Sequence, residues 1–423
     1  MRRSESRGVA RMNFRNFDLL FWLVAFAITG PAEAAPCKKH WVGGWETALV
    51  RLDDAQRLPV ARTADLTIRQ VVRISLGAGR MRLRFSNLFG TTPLEIRRAT
   101  VALSAGNGTA HIAPSSLKPI LFHGRTSVRI APGASIVSDP VALKTVDGTD
   151  VAISLYLPSV PVVQTGHGGS RATSWTVRGD STSARDMAGA KAIVHWYFLA
   201  GIDVQAPDGR AVVIMGDSIT DGYGVQPDTN TRWTDFLRIR LNQDSRLGGV
   251  SVLNAGIGGN SIAHGGIGPM PVSRLSREVL DVPGVSHFII LEGVNDLRGS
   301  GRGPASSPQG EEVVRDVIDQ LRAIVARVRA RRIKAIGVTV LPYGRSMQDP
   351  AIPFDDRYRI ALNTWIKTPG NFDAVIDLAT VMADPAAPAR LRAEFDNDGL
   401  HPSVAGYKAM ADAVPLAVLR NGP

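Results

Sequence analysis

The chain changes its hydrophobic period once, at Ala206-Pro207-Asp208-Gly209, and that change limits what can fold on either side of it. Before it, apolar and polar residues alternate with period two. Residues 81–85 (MRLRF) and 151–157 (VAISLYL) each set an apolar face against a polar one, and 193–199 (IVHWYFL) is more fully apolar. Turn residues punctuate these runs at Gly77-Ala78-Gly79, Gly106-Asn107-Gly108, Pro132-Gly133, Asp147-Gly148 and Gly168-Gly169. Short strands with such punctuation predict an all-β sandwich or jelly-roll-like domain over residues 40–206. There is no internal repeat.

After the change, strand-length and helix-length runs alternate. Residues 211–215, 250–253, 288–291, 333–340 and 375–378 read as strands, and 233–241, 311–332 and 358–366 as helices. In the longest helix Val314, Val317, Ile318, Leu321, Ile324, Val325 and Val328 fall on one stripe. Arg329, Arg331 and Arg332 suit the negative end of its dipole. This alternation predicts an α/β domain over residues 210–420, a parallel sheet covered by helices on both faces. Such sheets bind ligands beyond the C-terminal ends of their strands.

A length of 423 residues suffices for two domains, and 44% hydrophobic with 21% charged residues is globular rather than disordered composition. The net charge of +11 raises the question of an acidic partner. The basic residues are scattered, however, and no nucleic-acid-binding signature accompanies them, so nucleic acid is not an expected partner. Arg2, Arg3, Arg7, Arg11 and Arg15 precede an apolar run at 19–28, and Ala32-Glu33-Ala34 follows it. This is the pattern of a signal peptide over residues 1–34, with Met12 as an alternative start. The run is short of the roughly 20 residues of a membrane span. A secreted or periplasmic protein without a stable membrane anchor is expected. Cys37 is the single cysteine, so no intramolecular disulfide can form.

Four motifs carry chemistry. Gly216-Asp217-Ser218-Ile219-Thr220 follows the first α/β strand, where a serine projects into the cleft. It is not the G-x-S-x-G elbow, because Thr220 replaces the last glycine, and it lacks a phosphate-loop lysine. A serine nucleophile needs a base. Asp398-Gly399-Leu400-His401-Pro402 supplies a carboxylate and an imidazole three residues apart, close enough to share a turn. Asp396 is the second choice of carboxylate. Asn295, in Gly293-Val294-Asn295-Asp296, offers an amide donor at a strand end. The glycine-rich residues 254–261 (NAGIGGNS) offer a backbone N–H. Taken singly, each reads as a turn or a surface loop; the ordered set at successive strand ends is what carries weight. No ligand set for a metal accompanies them.

The ordered set GDSIT, NAGIGGNS, EGVND and DGLHP resembles the SGNH (GDSL) hydrolase superfamily, over roughly residues 211–418. The resemblance implies a flavodoxin-like three-layer α/β/α fold. It implies Ser218 as nucleophile with Asp398 and His401. It also implies an oxyanion hole of the Ser218 N–H, the Gly259 N–H and Asn295, with Gly258 the alternative glycine. The first motif departs from the name-giving sequence at Ile219 and Thr220, neither of which has a required chemical role. The β-rich half lies outside the motifs; its placement is similar to bacterial esterases with a jelly-roll-like module before the catalytic domain.

The implied chemistry is ester hydrolysis with no cofactor and no metal. Acetyl groups on extracellular polysaccharide are the expected substrate by fold-level analogy. A lipase or arylesterase, or a non-catalytic glycan-binding protein, is the alternative, and oligomeric state stays open. Asp221, Tyr223, Arg232, Trp233, His264, Glu292 and Arg298 flank the motifs, and each is as readily structural as substrate-binding. Trp233 is expected to start a helix and pack on the sheet, and Arg232 to pair with a carboxylate.

Overall fold

Five parallel strands organise the second half of the chain: β1 (Arg210–Gly216), β2 (Val250–Gly256), β3 (Val285–Leu291), β4 (Lys334–Val338) and β5 (Ala374–Ile376). They lie in the order 2-1-3-4-5 in a computed structural model that describes residues 40–59, 65–263, 266–298, 309–344 and 356–420. The expected signal segment, Cys37 and His264 lie outside the described residues.

Alternate residues of β1 enter different cores. Ala211, Val213 and Met215 pack with Val317, Leu321 and Ile324 of α2 (Gln309–Ala330) and Leu362 of α3 (Asp356–Lys367). Val212 and Ile214 pack with Trp233 and Leu237 of α1 (Trp233–Gln243) and Tyr407 and Met410 of α4 (Val404–Asp412). Helices therefore cover both faces, as nearly continuous apolar strands require. The parallel register sets Gly216 opposite both Gly256 and Leu291. The first three motifs leave the sheet at one level, around the point where the strand order reverses.

The strands between residues 41 and 205 all pair antiparallel. A six-stranded sheet is centred on Leu66–Arg73 and Asp150–Leu157, and a five-stranded one on Leu199–Gln205 and Arg80–Ser86. The run at 193–199 is not one strand. Lys191–Ile193, Trp196–Tyr197 and Leu199–Gln205 join three different sheets. Trp196, Tyr197 and Phe198 are consecutive and all buried. A straight strand would turn alternate side chains to opposite faces; here the chain bends instead, with Phe198 at φ 58°.

The β-rich region is built onto the parallel sheet. Gly43 N–H donates to Pro283 O at 2.9 Å. Val252 N–H donates to Ser75 Oγ at 2.7 Å. A Cβ on Gly43 would lie 2.6 Å from a methyl of Leu253, which would have to shift to admit it. Val42 and Trp45 share one apolar cluster with Leu253 and Val282.

Candidate active site

Ser218 opens a one-turn helix, Ser218–Asp221, directly beyond β1. Asp217 caps it, its carboxylate accepting from Ile219 N–H at 2.8 Å, and Gly222 ends it at φ 91°. A Cβ on Gly216 would collide with the Thr220 side chain. Burial, reinforced by Asp296 and Asp221, raises the Asp217 carboxyl to about 7 against the pull of the Ile219 N–H.

The late motif folds back onto this turn. His401 Nε2 lies 2.8 Å from Ser218 Oγ. His401 Nδ1 faces Asp398 at 2.9 Å and 3.2 Å from its two oxygens. Asp398 also accepts from the backbone N–H groups of Leu400 at 3.1 Å and His401 at 2.8 Å. Burial works to raise the Asp398 carboxyl, but these hydrogen bonds and the His401 ring bring it down to about 2. With Asp398 ionised, Nδ1 carries the hydrogen and Nε2 can accept from the serine hydroxyl. Asp396 instead accepts from Gly399 N–H at 2.5 Å, inside the turn. Of the two carboxylates it is Asp398 that meets the imidazole.

Asn295 is buried in the short helix Val294–Leu297, and its Nδ2 donates to Asn260 O at 2.8 Å. An amide nitrogen has two hydrogens, so this bond aims the group without exhausting it. Asp296 accepts from Ile262 N–H at 3.0 Å and Ala263 N–H at 2.9 Å, tying the same two loops together. Gly259 has φ 71°, a conformation that favours glycine; Gly258 does not share it.

The flanking residues divide. Trp233 starts α1 and is fully buried. Arg232 pairs with Asp235 at 3.1 Å. Glu292 is buried, and burial, with Asp217 nearby, holds its carboxyl well above the usual range despite Arg274 3.7 Å away. Arg298 is half-buried. Tyr223 stacks on His401 and is 39% exposed, the aromatic rim of the site. Asp221 meets His167 of the β-rich region at 2.8 Å.

Two contributors have no motif. Fully buried Arg274 donates to Ala255 O at 2.7 Å, Asn260 Oδ1 at 2.8 Å and Glu278 at 2.5 Å. His167 lies about 50 residues before Ser218 in a region with no catalytic pattern. Neither spacing nor periodicity marks them. Among the described residues, no group of three or more His, Cys, Asp or Glu side chains is placed to hold a metal ion. No described helix is long and apolar enough to cross a membrane.

A turn-borne serine bonded to a carboxylate-oriented imidazole, at the switch point of a parallel sheet, defines a serine hydrolase site. Residues 214–409 match the model of the GDSL-like Lipase/Acylhydrolase family, and this part of the chain belongs to that family, as a carboxylic ester hydrolase. No curated protein matches the chain. Among solved structures, a GDSL-like lipase from Bacteroides thetaiotaomicron is 19% identical, with a TM-score of 0.39, covering 50% of this chain and 88% of its own. An acetylxylan esterase from Geobacillus stearothermophilus is 22% identical, with a TM-score of 0.36, covering 48% of this chain and 92% of its own.

Proposed function

We propose that the protein is an exported serine esterase that works through an acyl-enzyme on Ser218 and removes short acyl groups, acetyl above all, from carbohydrate. The observation that carries the mechanism is the continuous relay from Ser218 Oγ through His401 to Asp398, with links of 2.8 Å and 2.9 Å. His401 Nε2 takes the hydroxyl proton as Ser218 attacks the ester carbonyl, and Asp398 supports the imidazolium. The Ser218 N–H, which as the first residue of its helix has no intrahelical acceptor, donates to the oxyanion. The Gly259 N–H and the second Asn295 amide hydrogen join it. The imidazolium then protonates the leaving alcohol, and water repeats the sequence on the acyl-enzyme.

The carbohydrate reading draws on the expected export of residues 1–34 and on the half-exposed ring of Tyr223 beside the catalytic histidine. The exposed edge and hydroxyl of that ring offer a sugar hydroxyl a hydrogen-bonding contact at the site mouth. Residues 40–206 form, on this reading, an all-β sandwich or jelly-roll-like module, and 210–420 the catalytic domain.

A panel of p-nitrophenyl esters from acetate to palmitate, with acetylated xylan and pectin, tests the assignment in wild type and S218A. Preference for acetate together with acetate release from a glycan supports it. Preference for long chains makes the protein a lipase, and activity confined to aryl esters an arylesterase. Glycan binding without hydrolysis, unchanged in S218A, makes it a binding protein. Sequencing the N-terminus of the exported protein tests the signal segment.

A further inference from the structure

The nucleophile turn is held from two sides, and one side belongs to the β-rich module. Strand Thr165–His167 ends against the turn Ser218–Asp221. His167 Nε2 lies 2.8 Å from Asp221 Oδ1, with both side chains buried. His167 Nδ1 lies 2.8 Å from Ala48 O. A carbonyl oxygen only accepts, so Nδ1 donates to it, and the ring is pinned within its own module. The residues that follow continue the contact. A Cβ on Gly169 would collide with the Asp221 carboxylate. Ser170 O accepts from Arg232 Nη2 at 2.6 Å, and Arg171 Nε donates to Gly222 O at 3.2 Å. Arg232 Nε donates to Asp221 O at 3.3 Å.

Asp221 is the last residue of the helix that Ser218 begins. Its N–H donates to Asp217 O at 2.9 Å, and Gly222 N–H donates to Ser218 O at 2.9 Å. A one-turn helix has no length with which to hold itself, because nucleation costs more than one turn returns. Its direction, and with it the Ser218 hydroxyl, depends on what grips its two ends. Asp217 caps the start from within the catalytic domain. Two side chains of the β-rich module reach the Asp221 carboxylate: buried His167 at 2.8 Å and, more loosely, half-buried Arg171 at 3.9 Å.

We propose that His167 is a positioning residue for the Ser218 nucleophile, acting through Asp221, so that the catalytic domain depends on the β-rich module for an aligned active site. This rests on the reading of Ser218 as nucleophile.

The test compares H167Q with H167N in the full chain. A glutamine places its amide nitrogen where Nε2 stands and keeps the link to Asp221. An asparagine places it where Nδ1 stands, keeps the Ala48 bond and loses Asp221. Both are read by kcat and KM for p-nitrophenyl acetate, by the rate of labelling with diisopropyl fluorophosphate, and by melting temperature. Misalignment of about 1 Å costs on the order of 10²-fold. H167N is therefore expected to lose that much in kcat and labelling rate at unchanged KM, with H167Q restoring both. Equal kcat in the two variants, or a loss confined to KM, overturns the proposal. If H167N does not fold, D221A against D221N carries the same comparison. An asparagine at 221 can donate to a neutral His167 Nε2, so D221N is expected to stay near wild type and D221A to fall; equal values overturn the proposal. Failure of the underlying reading shows separately, as labelling and hydrolysis that persist in S218A.

Discussion

The Tyr223 ring lies flat against the His401 imidazole, with centroids 4.1 Å apart and planes at 26°. The Arg171 guanidinium sits over the same phenol ring at 5.7 Å. Tyr223 thus fixes one face of the histidine while its own far side meets the β-rich module. The tyrosine hydroxyl is not needed for stacking. An aromatic pair of this kind contributes about 0.5–1.5 kcal/mol, or about 2- to 10-fold in a rate. Y223A is expected to lose that factor in kcat/KM for p-nitrophenyl acetate, and Y223F to stay near wild type. Equal losses in both would place the effect in the hydroxyl instead.

Asp398 differs from an ordinary aspartate in its affinity for a proton. Its folded-state value of about 2 lies below the 3.8 of an ordinary aspartate. A depressed carboxyl contributes stability that is fully present above the unfolded value and lost as pH falls through the folded one. The melting-temperature gap between wild type and D398N should hold steady above about pH 4 and close toward pH 2. Activity should respond more severely. Loss of the orienting carboxylate costs roughly 10³–10⁴-fold in turnover, and kcat of D398N measures it.

Asp217 runs the other way. Burial raises it to about 7, so the folded protein keeps a proton that the unfolded chain releases near the 3.8 of an ordinary aspartate. Between those values stability declines as pH rises. D217N retains the acceptor that caps Ile219 and cannot ionise. Its melting temperature relative to wild type should climb from pH 4 to pH 7 and then level off. A difference independent of pH would show that Asp217 titrates normally.

Arg274 holds the glycine-rich loop through Asn260, whose carbonyl in turn aims Asn295. It is also the buried counter-charge of Glu278. Removing one member of a buried ion pair costs about 3–5 kcal/mol. R274M should lose stability of that order in urea unfolding. Its kcat should fall further than that of E278Q, which leaves the Asn260 contact in place.

Legibility in the sequence followed the range over which each feature is determined. The stripe Val317, Leu321, Ile324 and Val328 is set by local periodicity, and the helix formed two residues early at most. The meeting of Ser218, His401 and Asp398 was legible because each motif is a short turn whose residue types suit the contact the structure shows. What the sequence hid is tertiary. The run 193–199 looks like one strand until its consecutive aromatics must all be buried, and then it breaks across three sheets. His167 and Arg274 act through contacts spanning 54 and 14 residues, on chain segments whose patterns are ordinary. Asp221 and Tyr223 stood beside the motif, but their partners lie elsewhere in the chain.

The central claim is that Ser218, activated by His401, carries the acyl group. Peptide mass mapping after rapid quenching of the enzyme with p-nitrophenyl acetate tests it most directly. One acetyl group on the peptide holding Ser218, absent in S218A and accumulating poorly in H401A, is the predicted result. Acetylation at another residue, or undiminished ester hydrolysis by S218A, would contradict it.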